Sequence, residues 1–337
     1  MKSIKSTCLL AIESSCDDTS VAVLIDGQIK SNITANQQVH AAYGGVVPEL
    51  ASRAHQSNVV PTVTLALKEA GVEKKDLDAI AFTRGPGLLG SLIVGVSFAK
   101  ALALSLDLPL IDVHHMHAHI HAHFIDDPKP QMPFLCLTVS GGHTQITVVR
   151  SYFDMEIIGT TRDDAAGEAF DKAGKMLGLE YPAGPEIDQL AQKGQVRYPF
   201  TEPNIPDLDF SFSGLKTGIL YFLRDKIKKQ PNFIQDNLAD ICASIQDRIV
   251  SILLNKMKKA ALQTGITELA IAGGVSANSG LRNAFESLGK QNNWQIYIPK
   301  ISYCTDNAAM VAMTGYFKYL EGDFCTQEAT PEARMPF

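Results

Sequence analysis

The sequence predicts an α/β protein in which one plan is built twice, giving two similar lobes with a ligand cleft between them. Three observations predict it. Residues 7–25 read TCLLAIESSCDDTSVAVLI, two apolar strand-like runs joined by a small, acidic tip, and residues 134–149, FLCLTVSGGHTQITVV, repeat that pattern. A shift of 125 positions lays Thr19 to Val23 over Thr144 to Val148. Each half also closes on strand, Gly-rich loop and helix: Ala79 to Thr83 before the run Arg84 to Ser91, and Leu269 to Ala272 before Gly273 to Asn278. Right-handed strand–helix–strand connections turn this plan into mixed sheets with a mainly parallel core. Paired turns that share one ligand must face each other, which implies the cleft.

Taken in order, the first hairpin carries Ser14-Ser15-Cys16-Asp17-Asp18-Thr19 at its tip. Hydroxyls, turn N–H groups and a carboxylate there suit a phosphate or a phosphate-bound cation, or make an ordinary solvated turn. Gly44 to Glu49 leads into a helical pattern from Leu50 to about Ala70, closed by Gly71. The glycines of Arg84 to Ser91 let backbone approach a ligand, and they are also how α/β proteins turn. A strand at Pro109 to Val113 follows. In the second half lies a helix-rich insertion, roughly Asp163 to Lys259, whose first helix Asp163 or Asp164 can cap and whose Glu168 and Asp171 fall one turn apart. Tyr181-Pro182-Ala183-Gly184-Pro185 is expected to stop that helix. The clusters Arg224/Lys226/Lys228/Lys229 and Lys256/Lys258/Lys259 fit helices, as solvated faces or as nucleic-acid contacts. Tyr303 to Asn307 opens a last apolar helix, Ala308 to Leu320.

The stretch from His114 to His123 holds six of the nine histidines. On a helix, His115/His119, His117/His121 and His119/His123 each share a face on which two neutral imidazoles can hold one divalent metal; spacing alone does not choose among them, and amphipathic or capping histidines are the alternative. A third ligand must come from a distant segment, and Asp306, at an element terminus, is a reasonable one. The zincin pattern HExxH is absent, because Met116 and Ala118 stand where its Glu would be.

At 337 residues the chain is comfortable for two domains of roughly 150 residues each. With 45% apolar and 20% charged residues it is an ordinary globular composition rather than a disordered one. The formal charge of −6 means that nucleic acid would need a local basic patch or a partner subunit. Six scattered cysteines without a CxxC pair fit reduced thiols and a cytoplasmic protein. Lys2 and Lys5 precede only the short apolar run Cys8 to Ile12, too short for a signal peptide. No apolar segment approaches the ~20 residues of a membrane span.

Nine markers stand in order along the chain: ESSCDDT from Glu13, GGVVPELASRAH from Gly44, GPGLLGSL from Gly85, VHHMHAH from Val113, VSGGHTQ from Val139, DDAAGEAFDK from Asp163, DFSFSGLKT from Asp209, GGVSAN from Gly273 and CTDN from Cys304. From Leu9 to about Phe317 the chain resembles the TsaD family, bacterial tRNA N6-adenosine threonylcarbamoyltransferases once labelled O-sialoglycoprotein endopeptidases. The resemblance implies the duplicated, two-lobed actin-like fold of actin, Hsp70-type chaperones and sugar kinases (RNase H-like). Its expected lobes are 1–131, with the C-terminal segment 307–337 packing back on it, and 132–306, with the helical insertion at about 163–259. It also implies metal ligation by His115, His119 and Asp306, with one divalent ion, iron or zinc, per subunit. Thr138, Val139, Ser140, Gly141 and Gly142 match the substrate-phosphate loop. Asp171, Gly184, Asp188 and Asn278 match positions that hold the adenosine part of the substrate, and Asp17 a carboxylate that acts in catalysis.

The implied reaction takes threonylcarbamoyl-AMP as donor and the N6-amine of the adenosine 3′ of a tRNA anticodon as acceptor. The implied partners are tRNA, a TsaB-like paralogue and a TsaE-like ATPase, with no membrane. The departures are small. Asp18 stands where many members have Glu and Ser14 where many have Thr, and both keep the chemical type. Ala183 replaces the first Gly of a frequent YPGGP, which adds a methyl and excludes easy entry to positive φ. His117, His121 and His123 lie outside the motif and read as surface features. A kinase of the same fold has no need of paired histidines, a non-catalytic scaffold would lack the triad, and a protease would need an activated nucleophile that is not evident.

Overall fold

The structure, a computed structural model, describes residues 6–36, 40 and 43–337, so the Lys2 and Lys5 of the leader argument lie outside the described residues. The chain divides into two compact units, Met1–Asp127 with Asp306–Phe337, and Pro128–Thr305.

In the first unit the sheet is built on β1 (Cys8–Glu13), every residue of which is buried. β1 pairs antiparallel with β2 (Thr19–Ile25), which pairs antiparallel with β3 (Gln28–Ala35). On its other side β1 pairs parallel with β4 (Ala79–Gly85), and β4 with β5 (Leu110–His114). A strand enclosed on both edges and both faces must read as a continuous apolar run, and CLLAI does. α1 (Pro48–Ala70) opens with proline in its first turn and Glu49 at its positive end, and Gly71 closes it in the left-handed conformation (φ 67°). α2 (Leu89–Leu106) packs on β4 and α1 through Leu92, Val96, Ala99 and Ala103, while Leu89, Ile93 and Leu104 face outward. With a mean hydropathy of 1.8 over 18 residues, α2 is long and apolar enough to cross a membrane by length and composition, which corrects the expectation that no segment would be. α3 (His115–His121) follows β5 without a loop.

The second unit repeats the sheet. β6 (Phe134–Val139), β7 (Thr144–Val149) and β8 (Met155–Thr160) form the antiparallel part, and β9 (Glu268–Ala272) and β10 (Gln295–Tyr297) add in parallel on the other side of β6. The strand orders are β3-β2-β1-β4-β5 and β8-β7-β6-β9-β10, so β7 holds the place of β2, as the 125-residue offset requires. Between β8 and β9 run α4 (Ala166–Leu177), α5 (Ala183–Ala191), α6 (Ser213–Lys229) and α7 (Phe233–Thr264), and α8 (Ser279–Asn292) joins β9 to β10. α9 (Ala308–Glu321) returns to the first unit and packs on β1, β2 and α3.

Four local expectations change. The residue before α4 is Ala165, with no side-chain cap. Asp163 instead accepts from Phe212 N (2.8 Å), Ser213 N (3.2 Å) and Ser213 Oγ (2.8 Å), holding the distant start of α6. Gly178, not the Tyr181–Pro185 run, ends α4 (φ 82°), and that run starts α5, because proline suits a first helical turn. His121 and His123 are buried rather than at the surface: His121 Nδ1 meets Thr314 Oγ1 at 2.9 Å, and its ring packs on Phe317. His117 is half-buried against Phe337.

Candidate functional site

Two groups of predicted residues come together, one in each unit. In the first unit, α3 puts the rings of His115 and His119 on one face, one turn apart. Asn307 caps α9 by accepting from Met310 N at 3.1 Å, which leaves Asp306 just ahead of the helix. Asp306 Oδ1 lies 3.4 Å from His115 Nε2 and 3.3 Å from His119 Nε2, and the three ligand atoms lie within 4.8 Å of one another. Ligand pairs about 3.3 Å apart are what a tetrahedral site with bonds of about 2.0–2.1 Å presents. Both ring nitrogens of His119 are buried without a hydrogen-bond partner, since the contact to Asp306 is not directed as a hydrogen bond. Buried nitrogens are rarely left so, and an ion at Nε2 accounts for one of them.

Glu13 supports this triad from behind. It is fully buried at the end of β1, accepts from Ser15 N (2.5 Å) and Thr83 Oγ1 (2.6 Å), and faces His115 Nδ1 at 3.1 Å. A carboxylate can only accept, so it holds the Nδ1 proton and turns Nε2 toward Asp306, as outer partners of ligating histidines do. Burial alone would lower the His115 pKa, but Asp306 and Glu13 raise it well above the usual value. His119, equally buried and without Glu13 behind it, is lowered. Burial would raise Asp306, yet His115 and His119 hold it far below the carboxylate range, and His115 likewise lowers Glu13. Two carboxylates with one imidazolium leave the metal-free cluster at −1, and a divalent ion that displaces the His115 proton brings it to zero. The residues therefore fit a divalent metal, and the N/O donors suit iron and zinc alike.

The elements that carry the ligands are cross-linked. Lys318 on α9 donates to Asp112 Oδ1 (2.7 Å) and to Asp112 O (2.9 Å), and Arg84 approaches Asp112 Oδ2 at 3.2 Å. Asp112 lies on β5, three residues before His115.

The first hairpin tip does not offer its hydroxyls to a ligand. Ser14 Oγ bonds Ser91 O (3.1 Å), Ser15 Oγ lies 3.2 Å from His115 Nδ1, and Thr19 Oγ1 lies 2.7 Å from His55 Nδ1. Leu88 N donates to Ser15 O at 2.7 Å. The Gly-rich loop is equally occupied: a Cβ on Gly87 would stand 2.4 Å from Ser15 O, and one on Gly85 only 1.9 Å from Glu332 O. Those glycines admit the hairpin and the C-terminal segment, so the loop serves the fold. Asp17 is half-buried in the turn beside Cys16, whose thiol its carboxylate helps to push up in pKa after burial and Asp306.

In the second unit Gly141, Asp171, Gly184, Asp188 and Asn278 line one cavity of ≈ 370 Å³, with Phe170, Tyr181 and Val275 as apolar walls. Thr138 and Val139 are fully buried in β6 and, like Ser140 and Gly142, are not among its lining residues. Ser140 shapes the turn, its Oγ accepting from His143 N (3.1 Å) and its carbonyl from Gly167 N (3.2 Å). Asp171 Oδ1 accepts from Ala183 N at 2.9 Å, and burial raises its pKa. Asp188 holds Ser279 N (2.9 Å) and Ser279 Oγ (2.6 Å). Asn278 caps α8 through Leu281 N (2.9 Å) and donates to Gln246 Oε1 (2.7 Å). The side chains of Asp188 and Asn278 thus already shape the cavity rim. On the same unit Lys256 Nζ donates to the carbonyls of Ile205 and Asp207 (2.7 and 2.9 Å) and Lys259 Nζ to that of Asp207 (3.1 Å), so both ammonium groups anchor a loop.

The profile of the TsaD family, tRNA N6-adenosine threonylcarbamoyltransferase, matches residues 28–313. The chain belongs to the TsaD family. It is 56% identical over 331 residues to the tRNA N6-adenosine threonylcarbamoyltransferase of Cytophaga hutchinsonii, covering 98% of this chain and 96% of that one. To the enzyme of the same name from Christiangramia forsetii it is 57% identical over 333 residues, covering 98% of each. Among solved structures, the Acidaminococcus fermentans (R)-2-hydroxyglutaryl-CoA dehydratase component A matches with a TM-score of 0.53 at 16% identity, covering 94% of this chain and 99% of that one, a likeness of fold alone. The fold is the duplicated actin-like α/β fold, with a helical insertion in the second unit. Against the family's usual motif, Ala183 needs no positive φ, since it is the first residue of α5. Glu13 escaped the sequence reading although it had a signal, a lone carboxylate closing an otherwise apolar strand. The cavity walls Phe170 and Tyr181 had none, because a buried aromatic in a helical insertion reads as core.

Proposed function

We propose that the protein transfers the threonylcarbamoyl group from threonylcarbamoyl-AMP to the N6-amine of the adenosine 3′ of the anticodon, in tRNAs that read codons beginning with A. The observation that carries this reading is the triad His115, His119 and Asp306 with its orphaned imidazole nitrogens, in a chain of this family. In the transfer the N6–carbonyl bond forms, the bond from that carbonyl to the phosphate oxygen breaks, AMP leaves with the electron pair, and the amine proton passes to Asp17, directly or through a water that Asp17 holds. The adenylate part of the donor is assigned to the second unit's cavity. Phe170, Tyr181 and Val275 cover the base, Asp171 accepts ribose hydroxyls, and the phosphate is assigned to the turn at Gly141, which lines the cavity. A divalent ion held by the triad supplies a Lewis acid for the substrate's oxygens. Glu13 keeps His115 in the tautomer and orientation that ligation needs.

The partner reading, a TsaB-like paralogue and a TsaE-like ATPase, has two supports. The net charge is −6, and Lys256 and Lys259 of the second basic cluster are bound to loop carbonyls, so that cluster is a poor basic patch for tRNA. Leu89, Ile93 and Leu104 are exposed on one side of α2, an apolar stripe suited to a protein partner. A tRNA acceptor and six free cysteines support the reading of a cytoplasmic protein.

The test is reconstitution with metal, tRNA, threonylcarbamoyl-AMP and both partners, read by mass spectrometry of the tRNA nucleosides. The modified nucleoside should appear, and Asp171→Ala should weaken AMP binding about ten- to a hundred-fold, the worth of ~1.5–3 kcal/mol of hydrogen bonding, while metal content stays unchanged. Unmodified tRNA in the complete mixture overturns the activity, and unchanged AMP affinity in Asp171→Ala overturns the cavity assignment.

A further inference from the structure

Asp171 owes its place to a helix crossing. Its Oδ1 accepts from Ala183 N, the first N–H of α5, at 2.9 Å. One turn after Asp171 on α4 comes Gly174, buried and in the helix interior, where glycine weakens a helix relative to alanine. The backbone does not need a glycine there, because Gly174 is not among the positive-φ residues and Gly178 makes the C-terminal turn. The neighbour does. A Cβ on Gly174 would stand 2.2 Å from the Cβ of Ala183, with the next atoms, Ala183 Cα and Ile187 Cδ1, both at 3.6 Å. The space beside α4 is thus filled by the single methyl that Ala183 carries where the family's motif has glycine.

We infer that Gly174 and Ala183 form a reciprocal packing pair, in which Gly174 is a positioning residue that sets, through Ala183, the hydrogen bond that holds Asp171 in the cavity. Carbon atoms in contact sit about 3.5–4.0 Å apart, so a methyl at 174 drives α4 and α5 apart by more than an ångström. A 2.9 Å bond to Ala183 N does not survive such a shift with its geometry intact. Asp171 then swings away from the ribose side of the cavity. Only one of the two positions can carry a methyl, and moving it from 183 to 174 leaves the crossing filled and the Asp171 bond in place.

This rests on the adenylate reading of the cavity, and a four-protein cycle keeps the two apart. Wild type, Gly174→Ala, Ala183→Gly and the double variant are titrated calorimetrically with AMP and with 2′,3′-dideoxy-AMP, well below their melting temperatures. Gly174→Ala should bind AMP about ten-fold or more weakly and lose most of its preference for AMP over the dideoxy analogue, as Asp171 contributes only to the hydroxyl-bearing ligand. The double variant should return to within about three-fold of wild type in both readings, with strong coupling between the two sites. Should Gly174→Ala not fold, a double variant that folds and binds AMP like wild type carries the inference, and one that does not overturns it. Equal AMP affinity in wild type and Gly174→Ala, or a double variant as weak as the single, also overturns it. A wild-type protein that does not bind AMP removes the adenylate reading itself and this positioning role with it.

Discussion

Each unit has its own sheet of the same strand order, and the two differ in what fills the turn beside the central strand. In the first unit that turn, residues 14–18, is closed by its own chain, with Ser14, Ser15 and Thr19 hydroxyls, the Ser15 carbonyl and His55 all engaged. In the second unit the corresponding turn carries Gly141 and Gly142, exposed, and a Cβ on either would meet nothing within 4 Å. The strand residue just before the turn differs in the same sense. Glu13 pairs with Ser20 as Thr138, 125 positions on, pairs with Gln145, so a buried carboxylate in one unit stands where the other has a buried hydroxyl. One scaffold thus gives a turn that braces the His115, His119 and Asp306 cluster and a turn left open. The divergence lies in a handful of side chains, since the strand order is unchanged.

The comparison breaks first if the braced turn does not serve metal. His119→Ala should weaken binding of one equivalent of zinc or iron(II) by about a hundred-fold or more, and Glu13→Gln, which leaves the three ligands in place, by about ten- to a hundred-fold. Elemental analysis after dialysis and competition with a chelator measure both. Affinity in the wild type should fall with pH, because the ion must displace the proton that Asp306 and Glu13 hold on His115. A His119→Ala protein that keeps full occupancy would mean that the triad is not the site.

Next in size is the cross-link between α9 and β5. Burial would raise the Asp112 pKa, but Lys318 and Arg84 lower it, so its stabilising contribution is present above its unfolded pKa of about 3.9 and is lost as pH falls through the lower folded value. Lys318, which burial would lower, is raised by Asp112 and Asp323, so its contribution is present below about 10.4 and lost as pH rises through the folded value. Asp112→Asn should cost about 1–3 kcal/mol in urea unfolding at neutral pH, since it leaves the mostly buried Lys318 ammonium with only the Asp112 carbonyl and the exposed Asp323 carboxylate. Its stability should also fall less steeply than that of wild type on the acid side of about pH 4. A midpoint unchanged at neutral pH would show that the first unit does not depend on this tie.

The smallest effect separates the two turns directly. Alanine at Gly142 meets open space and should change stability by no more than about 0.5 kcal/mol, whereas alanine at Gly87, 2.4 Å from Ser15 O, should cost about 2 kcal/mol or more. Paired thermal melts decide it, and equal costs would erase the distinction between a closed and an open turn.

The repeated architecture was legible because strand pairing is written locally. Apolar runs of five or six residues flanking a polar tip set β1, β2, β6 and β7, and a left-handed glycine such as Gly71 marks its own helix end. What the sequence did not show is reciprocal. Asp163 reads as the cap of the helix it precedes, but it serves α6, some fifty positions on, because a carboxylate cap acts across space as readily as along the chain. Lys256 and Lys259 read as a basic face, and only the folded loop reveals that carbonyls of Ile205 and Asp207 take them. The histidine pair was visible as a spacing with three solutions, and the spacing became a site only where Asp306 met two of the rings.

The absence of a loop between β5 and α3 fixes the length of the chain there. His114 ends the strand and His115 starts the helix, so the phase of the imidazoles around the helix axis is set by counting residues from the sheet. One inserted residue would turn both rings by about 100°, away from Asp306, and neither a fresh turn nor a flexible linker could absorb the error. The surface turn at Ser151–Asp154, by contrast, can grow or shrink without moving β7 against β8. This junction therefore tolerates exchange of side chains far better than insertion or deletion, and its reading frame in space is part of the ligand set.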